Sequence, residues 1–343
     1  MTARTRLIVA LLAGAALLGA GVVGVVLATS GTDPDELVVY SARSHYGEEE
    51  PFRDFAQSQG YDLRLFGGSA SELYERLEGE GERTPADVLI TVDAANLWRA
   101  EEAGLLEPLD SAVVERNVPA DVRDPDGTWA GLVLRARTIM RSTERVEEND
   151  LATYSDLGDP RWKGRLCLRS GTSEYNVSFV ADRLAKDGDA ATERLLRGWM
   201  ANDPEILGSD VDVLEAIAAG RCDVGLTNHY YLGRELAEDP SFPVAPVWAD
   251  QEGRGTHVNL SGIGIVKGTD NRDGAVALIE YLTDPGRQGL FAANNKEFPA
   301  DPAVEGAAEI ARFGEFRRDP IDVDGAGPRL DDALRLMEDV GWD

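Results

Sequence analysis

From residue 37 onward, short apolar runs alternate with longer stretches whose apolar positions recur at helical spacing. That alternation is the pattern of strands and helices taken in turn. Residues 37–40, 63–66 and 86–91 predict strands. Residues 48–59, 69–78 and 96–103 predict helices, the second with Ser69 as its N-cap. After a turn at 156–160 the pattern restarts, with strands over 166–168 and 222–227 and helices over 177–186, 193–200, 211–219 and 232–238. A further helix is predicted over 272–282, and the tail over 309–340 is helix-rich. Such a sequence of elements is expected to form α/β units around a largely parallel sheet.

A chain of 343 residues outgrows a single hydrophobic core and suits two lobes. In open α/β sheets, ligands bind beyond the carboxyl ends of the strands, so a cleft between lobes is expected. The chain is expected to cross between lobes near 134–138 and return near 258–265. This makes the first lobe discontinuous, 37–134 with 262–310, and the second lobe 135–261. Residues 311–343 form a C-terminal helical segment packing on both.

The beginning of the chain changes the compartment. Arg4 and Arg6 precede an uncharged apolar run over residues 7–28, the mark of a secretory leader or an N-terminal membrane anchor. Residues 29–36 read as a polar linker, and the globular part is expected outside the cytoplasm. The formal net charge of −28 repels nucleic acid and anionic lipid headgroups. The two cysteines, Cys167 and Cys222, are either a disulfide or two buried thiols. Neither phosphate-loop, zinc-protease nor hydrolase motifs occur, so a binding protein is expected rather than an enzyme.

The chemistry concentrates in tyrosines. Of nine Tyr and three His, Tyr230 and Tyr231 follow His229 directly, and His45 adjoins Tyr46. Tyr175 lies in a third polar segment. All follow predicted strand ends. Phenolate is a hard anionic donor, and several of them suit a hard trivalent cation such as Fe(III).

The motifs carrying these residues resemble the ferric-binding substrate proteins of bacterial iron ABC transporters. They are Tyr40–Ser–Ala–Arg–Ser–His45–Tyr46, Pro85–Ala–Asp–Val–Leu–Ile–Thr–Val–Asp93, Trp162–Lys–Gly–Arg–Leu–Cys–Leu–Arg–Ser170, Glu174–Tyr175–Asn176, and Asn228–His–Tyr–Tyr–Leu–Gly233, with Val340–Gly–Trp342 near the end. The resemblance covers residues 37 to the end and is nearest the tyrosine-rich branch. It implies an α/β two-lobe periplasmic-binding-protein fold of type II with a ligand cleft between the lobes. It also implies Tyr46, Tyr175, Tyr230 and Tyr231 as metal ligands, His45 as a fifth, and Asp93 close behind them. His229 departs from the pattern and is read as solvent-facing or supporting, and His257 as structural.

Four phenolates around Fe(III) leave one negative charge, which needs cationic neighbours. Arg135 and Arg137 lie on the expected crossover and Arg43 and Arg234 within a few residues of the ligands, and one or two of these are expected to hydrogen-bond the phenolate oxygens. A synergistic anion such as carbonate is a further expected component, and an ABC permease the expected partner of a monomer. The same fold gripping a small organic or oxyanion solute is the alternative, as is a membrane-anchored iron sensor.

Overall fold

The computed structural model describes residues 35–43 and 50–343. The predicted leader and linker up to residue 34, and the segment holding His45 and Tyr46, lie outside the described residues. Pro34–Asp343 hold together as one unit. Its strands are β1 (Glu36–Ser41), β2 (Asp62–Gly67), β3 (Val88–Thr91), β4 (Leu106–Glu107), β5 (Trp129–Ser142) and β6 (Leu166–Arg169). They continue with β7 (Glu205–Leu207), β8 (Val224–Asn228), β9 (Val244–Val247), β10 (Val258–Val266) and β11 (Phe298–Pro299).

The strand order β2-β1-β3-β10-β5-β8-β6-β7 joins two parallel ends through an antiparallel centre. β1 is parallel to β2 and β3, and β6 to β7 and β8. β10 and β5 are antiparallel to each other and to the outer strands they meet. The sheet is therefore mixed rather than largely parallel, because the chain leaves the first half on β5 and returns on β10. Partners change along β5 itself: Trp129–Ala136 pairs with β10, and Arg137–Arg141 with β8. The β10 register shifts between Ser261 and Gly262. At Gly262 a Cβ would sit 2.2 Å from Leu97, so only glycine lets the neighbouring helix approach.

β5 and β10 are buried over nearly their whole length, as expected for apolar runs covered on both faces. One core gathers Val39, Phe55, Ile90, Leu132 and Ile263. A second gathers Leu168, Phe179, Leu196, Trp199 and Trp342. Helix Leu330–Val340 turns Leu330, Ala333 and Met337 into the second core, one face at helical spacing. The remaining tail is less helical than expected: Ala308–Ala311 and Val323–Ala326 are single turns.

Two helix starts matter for the site. Helix Glu174–Asp187 and helix His229–Glu238 each begin three residues before the expected position. Ser173 and Asn228 are the extended residues that precede them, so Tyr175, Tyr230 and Tyr231 occupy first helical turns instead of loops. Cys167 and Cys222 are joined as a disulfide with Cα atoms 5.8 Å apart, tying β6 to the segment entering β8.

Candidate metal centre

β6 and β8 are adjacent and parallel, so their carboxyl ends point the same way and launch two helices side by side. The partial positive charge at both helix starts favours anions there. The Tyr230 hydroxyl donates to the Tyr175 hydroxyl at 3.2 Å. The Tyr230 and Tyr231 rings lie 4.2 Å apart. Tyr175 and Tyr230 are buried. Burial pushes the Tyr231 phenol well up, helped by the neighbouring Tyr175 and Asp210. Without a cation the Tyr231 phenol therefore keeps its proton at neutral pH, and a trivalent ion is what would displace it.

Guanidinium groups surround the trio. Arg234 lies 5.0 Å over the Tyr230 ring and 5.5 Å over Tyr231. Arg135 and Arg169 lie 5.7 and 5.4 Å over Tyr175. Arg135 also donates to Ser261 Oγ and the Val92 carbonyl, and sits 3.3 Å from Glu297. Arg43 pairs with the same Glu297 at 2.8 Å and with Ser261 Oγ at 2.9 Å. Arg137 is turned to other work. It binds Asp210 at 3.1 Å, Asn176 at 2.9 Å and Asn228 at 3.2 Å, bracing the first turn of one tyrosine-bearing helix and the residue that precedes the other.

Asp93 caps helix Ala94–Glu102, accepting from the Asn96 amide at 2.8 Å and its side chain at 2.9 Å. Burial raises its carboxyl, against Asn96 and Arg135. His229 is fully buried, not solvent-facing: its Nδ1 accepts from the Ala136 amide at 3.1 Å and its ring stacks on Phe298 at 4.1 Å. Burial pushes that imidazole down to about 3, so it is neutral. The His257 ring meets Asp182 at 3.0 Å in the interior, a structural pairing. The sulfurs of Cys167 and Cys222 lie beside Glu205, but the disulfide occupies them.

Three site residues were missed by the sequence reading. Arg169 ends β6, and its charge reaches all three phenols. Glu297 is the buried anion between Arg43 and Arg135. Glu174 accepts from the Ala70 amide at 3.0 Å and is pushed up to about 7 by burial and by the charge of Asp93. Arg169, Ser170, Thr172, Ser173 and Glu174 line a cleft of about 610 Å³, which Tyr175 and Tyr231 also face. Ala42, Gly68 and Ser69 also line it.

A family model described as bacterial extracellular solute-binding protein matches residues 83–312. Iron uptake protein A1 of Synechocystis is 42% identical over 319 residues, covering 90% of this chain and 88% of that protein. The major ferric iron-binding protein of Neisseria meningitidis is 23% identical over 314 residues, covering 89% and 93%. A Trichodesmium protein solved with iron and citrate matches with a TM-score of 0.82 and 37% identity, over 90% of this chain and all of that one (100%). Apo ferric ion-binding protein A of Pasteurella haemolytica matches with a TM-score of 0.84 and 36% identity, over 90% and 98%. The mixed α/β, two-lobe architecture with its curled sheet is common to these neighbours. With the matched model spanning most of the chain, and with relatives this similar over nearly their full length, the chain belongs to the bacterial extracellular solute-binding proteins.

Proposed function

We propose that this chain captures Fe(III) through tyrosine phenolates in the cleft and delivers it to an ABC permease for uptake. The observation that carries the reading is the meeting of Tyr175, Tyr230 and Tyr231 at the ends of neighbouring strands, with two hydroxyls 3.2 Å apart. Relatives named for iron uptake and ferric binding support it. Tyr46 and His45 complete the donor set in this proposal. Arg135, Arg169 and Arg234 offset the excess negative charge, Arg43 acts through Glu297, Arg137 braces the helix starts, and Asp93 fixes the helix beside Arg135.

The lobes are proposed as 37–134 with 262–310, and 135–261, turning about the crossing strands β5 and β10. The cleft wall at Arg169, Thr172 and Ser173 suits a carbonate or carboxylate anion beside the metal. The Ser173 hydroxyl is buried without a hydrogen-bond partner among the described residues and is a donor suited to such an anion. The protein works as a monomer outside the cytoplasm, released by cleavage of its leader or held by it at the membrane, and it binds rather than catalyses.

Titration with ferric citrate tests this. The wild type is expected to turn coloured through phenolate-to-iron charge transfer and to retain one iron per chain. Tyr230→Phe/Tyr231→Phe is expected to lose both colour and metal; a double variant that loads unchanged overturns the assignment. A colourless, metal-free wild type that still binds an organic anion establishes the alternative solute.

A further inference from the structure

The cleft wall at Arg169–Ser173 is a short turn of chain held from behind. Asn176 Nδ2 donates to the carbonyls of Arg169 at 3.0 Å and Ser170 at 2.8 Å. A second donor reaches the Arg169 carbonyl from 173 residues away in sequence: the indole Nε1 of Trp342, at 2.9 Å. Helix Leu330–Val340 stops at Gly341, whose φ of 78° is left-handed, a conformation glycine adopts without steric cost. The reversal lets the Trp342 amide donate to the Met337 carbonyl at 2.8 Å and sends the indole inward. There it is buried, edge-on to Trp199 at 5.8 Å. The contact with the turn is backbone against backbone, because a Cβ on Gly171 would lie 2.1 Å from the Trp342 carbonyl oxygen.

The other end of Arg169 faces the site. Its guanidinium lies over Tyr175 and 3.8 Å from Asp210, and it lines the cleft with Tyr231. Fixing the carbonyl of Arg169 therefore fixes the origin of the side chain that places positive charge beside the phenols. We propose that Trp342 is a positioning residue for the metal centre, holding the Arg169 guanidinium against the tyrosines through its indole hydrogen bond to the Arg169 carbonyl. This rests on the Fe(III) reading and extends the functional machinery to a residue far from the cleft in sequence.

The test uses the full chain loaded from ferric citrate. Trp342→Phe keeps an aromatic ring in the core but removes the N–H, and the Arg169 carbonyl keeps Asn176 as a donor, so the fold is expected to survive. Three quantities are read: the melting temperature, the position of the charge-transfer band, and the rate of iron loss to a competing chelator. Residues that orient the surroundings of a metal typically cost roughly ten-fold or more in affinity when changed. The expected result is a displaced band and iron loss roughly ten-fold faster. Arg169→Gln should displace the band in the same direction, and the double variant should add nothing further, as for two residues acting in one chain of contacts. A Trp342→Phe protein with a lower melting temperature but a wild-type band and rate overturns the proposal. So does full additivity with Arg169→Gln. A wild type that takes up no Fe(III) instead overturns the metal reading.

Discussion

The carboxylate of Glu174 accepts a hydrogen bond from the amide of Ala70 at 3.0 Å, joining the start of the helix after β6 to the start of the helix after β2. The two helices belong to opposite ends of the sheet, and the bond runs along the cleft rim beside Tyr175. A hydrogen bond to a charged group contributes about 1.5–3 kcal/mol. Glu174→Ala is therefore expected to release iron roughly ten-fold faster to a chelator, with Glu174→Gln close to wild type because it keeps the acceptor. Stopped-flow loss of the visible band measures both.

Proton release gives a second expectation. Burial holds the Tyr231 phenol above its ordinary value, which is about 10. The empty site thus binds protons that the loaded site has lost, and apparent affinity must rise with pH. Each proton displaced contributes about a ten-fold gain per pH unit. Titrations across pH 6 to 8, with the proton count taken in weakly buffered solution, are expected to agree in slope; an affinity independent of pH contradicts phenolate ligation.

Glu297 is buried between Arg43 and Arg135. Removing its charge strands two guanidiniums in the interior, a loss of about 3–5 kcal/mol for a buried pair. Glu297→Ala is expected to show that loss in urea unfolding of the metal-free protein, and Glu297→Gln a large fraction of it, since shape alone does not offset the cations.

The disulfide closes a sequence separation of 55 residues. The loop-entropy relation gives about 4 kcal/mol for a closure of that length. Unfolding with and without reductant, beside Cys167→Ser/Cys222→Ser, is expected to show a loss of that order, with metal binding kept under native conditions because the bridge lies at the far end of β6 and β8 from the tyrosines.

Much of this was legible in residue order. The apolar run ending at Thr227 declared a buried strand, and the tyrosines just beyond it are ones the fold brings together with Tyr175. The arrangement of β5 was less visible: its buried positions run almost unbroken from Trp129 to Ser142, straight through the change of partner after Ala136. The helix starts at Glu174 and His229 were placed late because Tyr and His are weak helix formers, while tertiary contacts such as Arg137 on Asn228 hold the first turns. Glu297 and Trp342 gave no periodic signal. Their meaning depends on partners 254 and 173 residues away, which only the folded chain brings near. Arg137, by contrast, sat at a promising distance from the ligands and was drawn instead to Asp210.

The paired strands β5 and β10 have one last consequence. They cross the molecule hydrogen-bonded to each other, and sliding either by one residue would exchange the side chains fitted to its two buried faces. Such a double tether permits bending but opposes slippage. Tyr175, Tyr230 and Tyr231 all ride beyond it on the same side, so they travel as one rigid platform. On the proposed Fe(III) reading, loading and release therefore leave that platform intact.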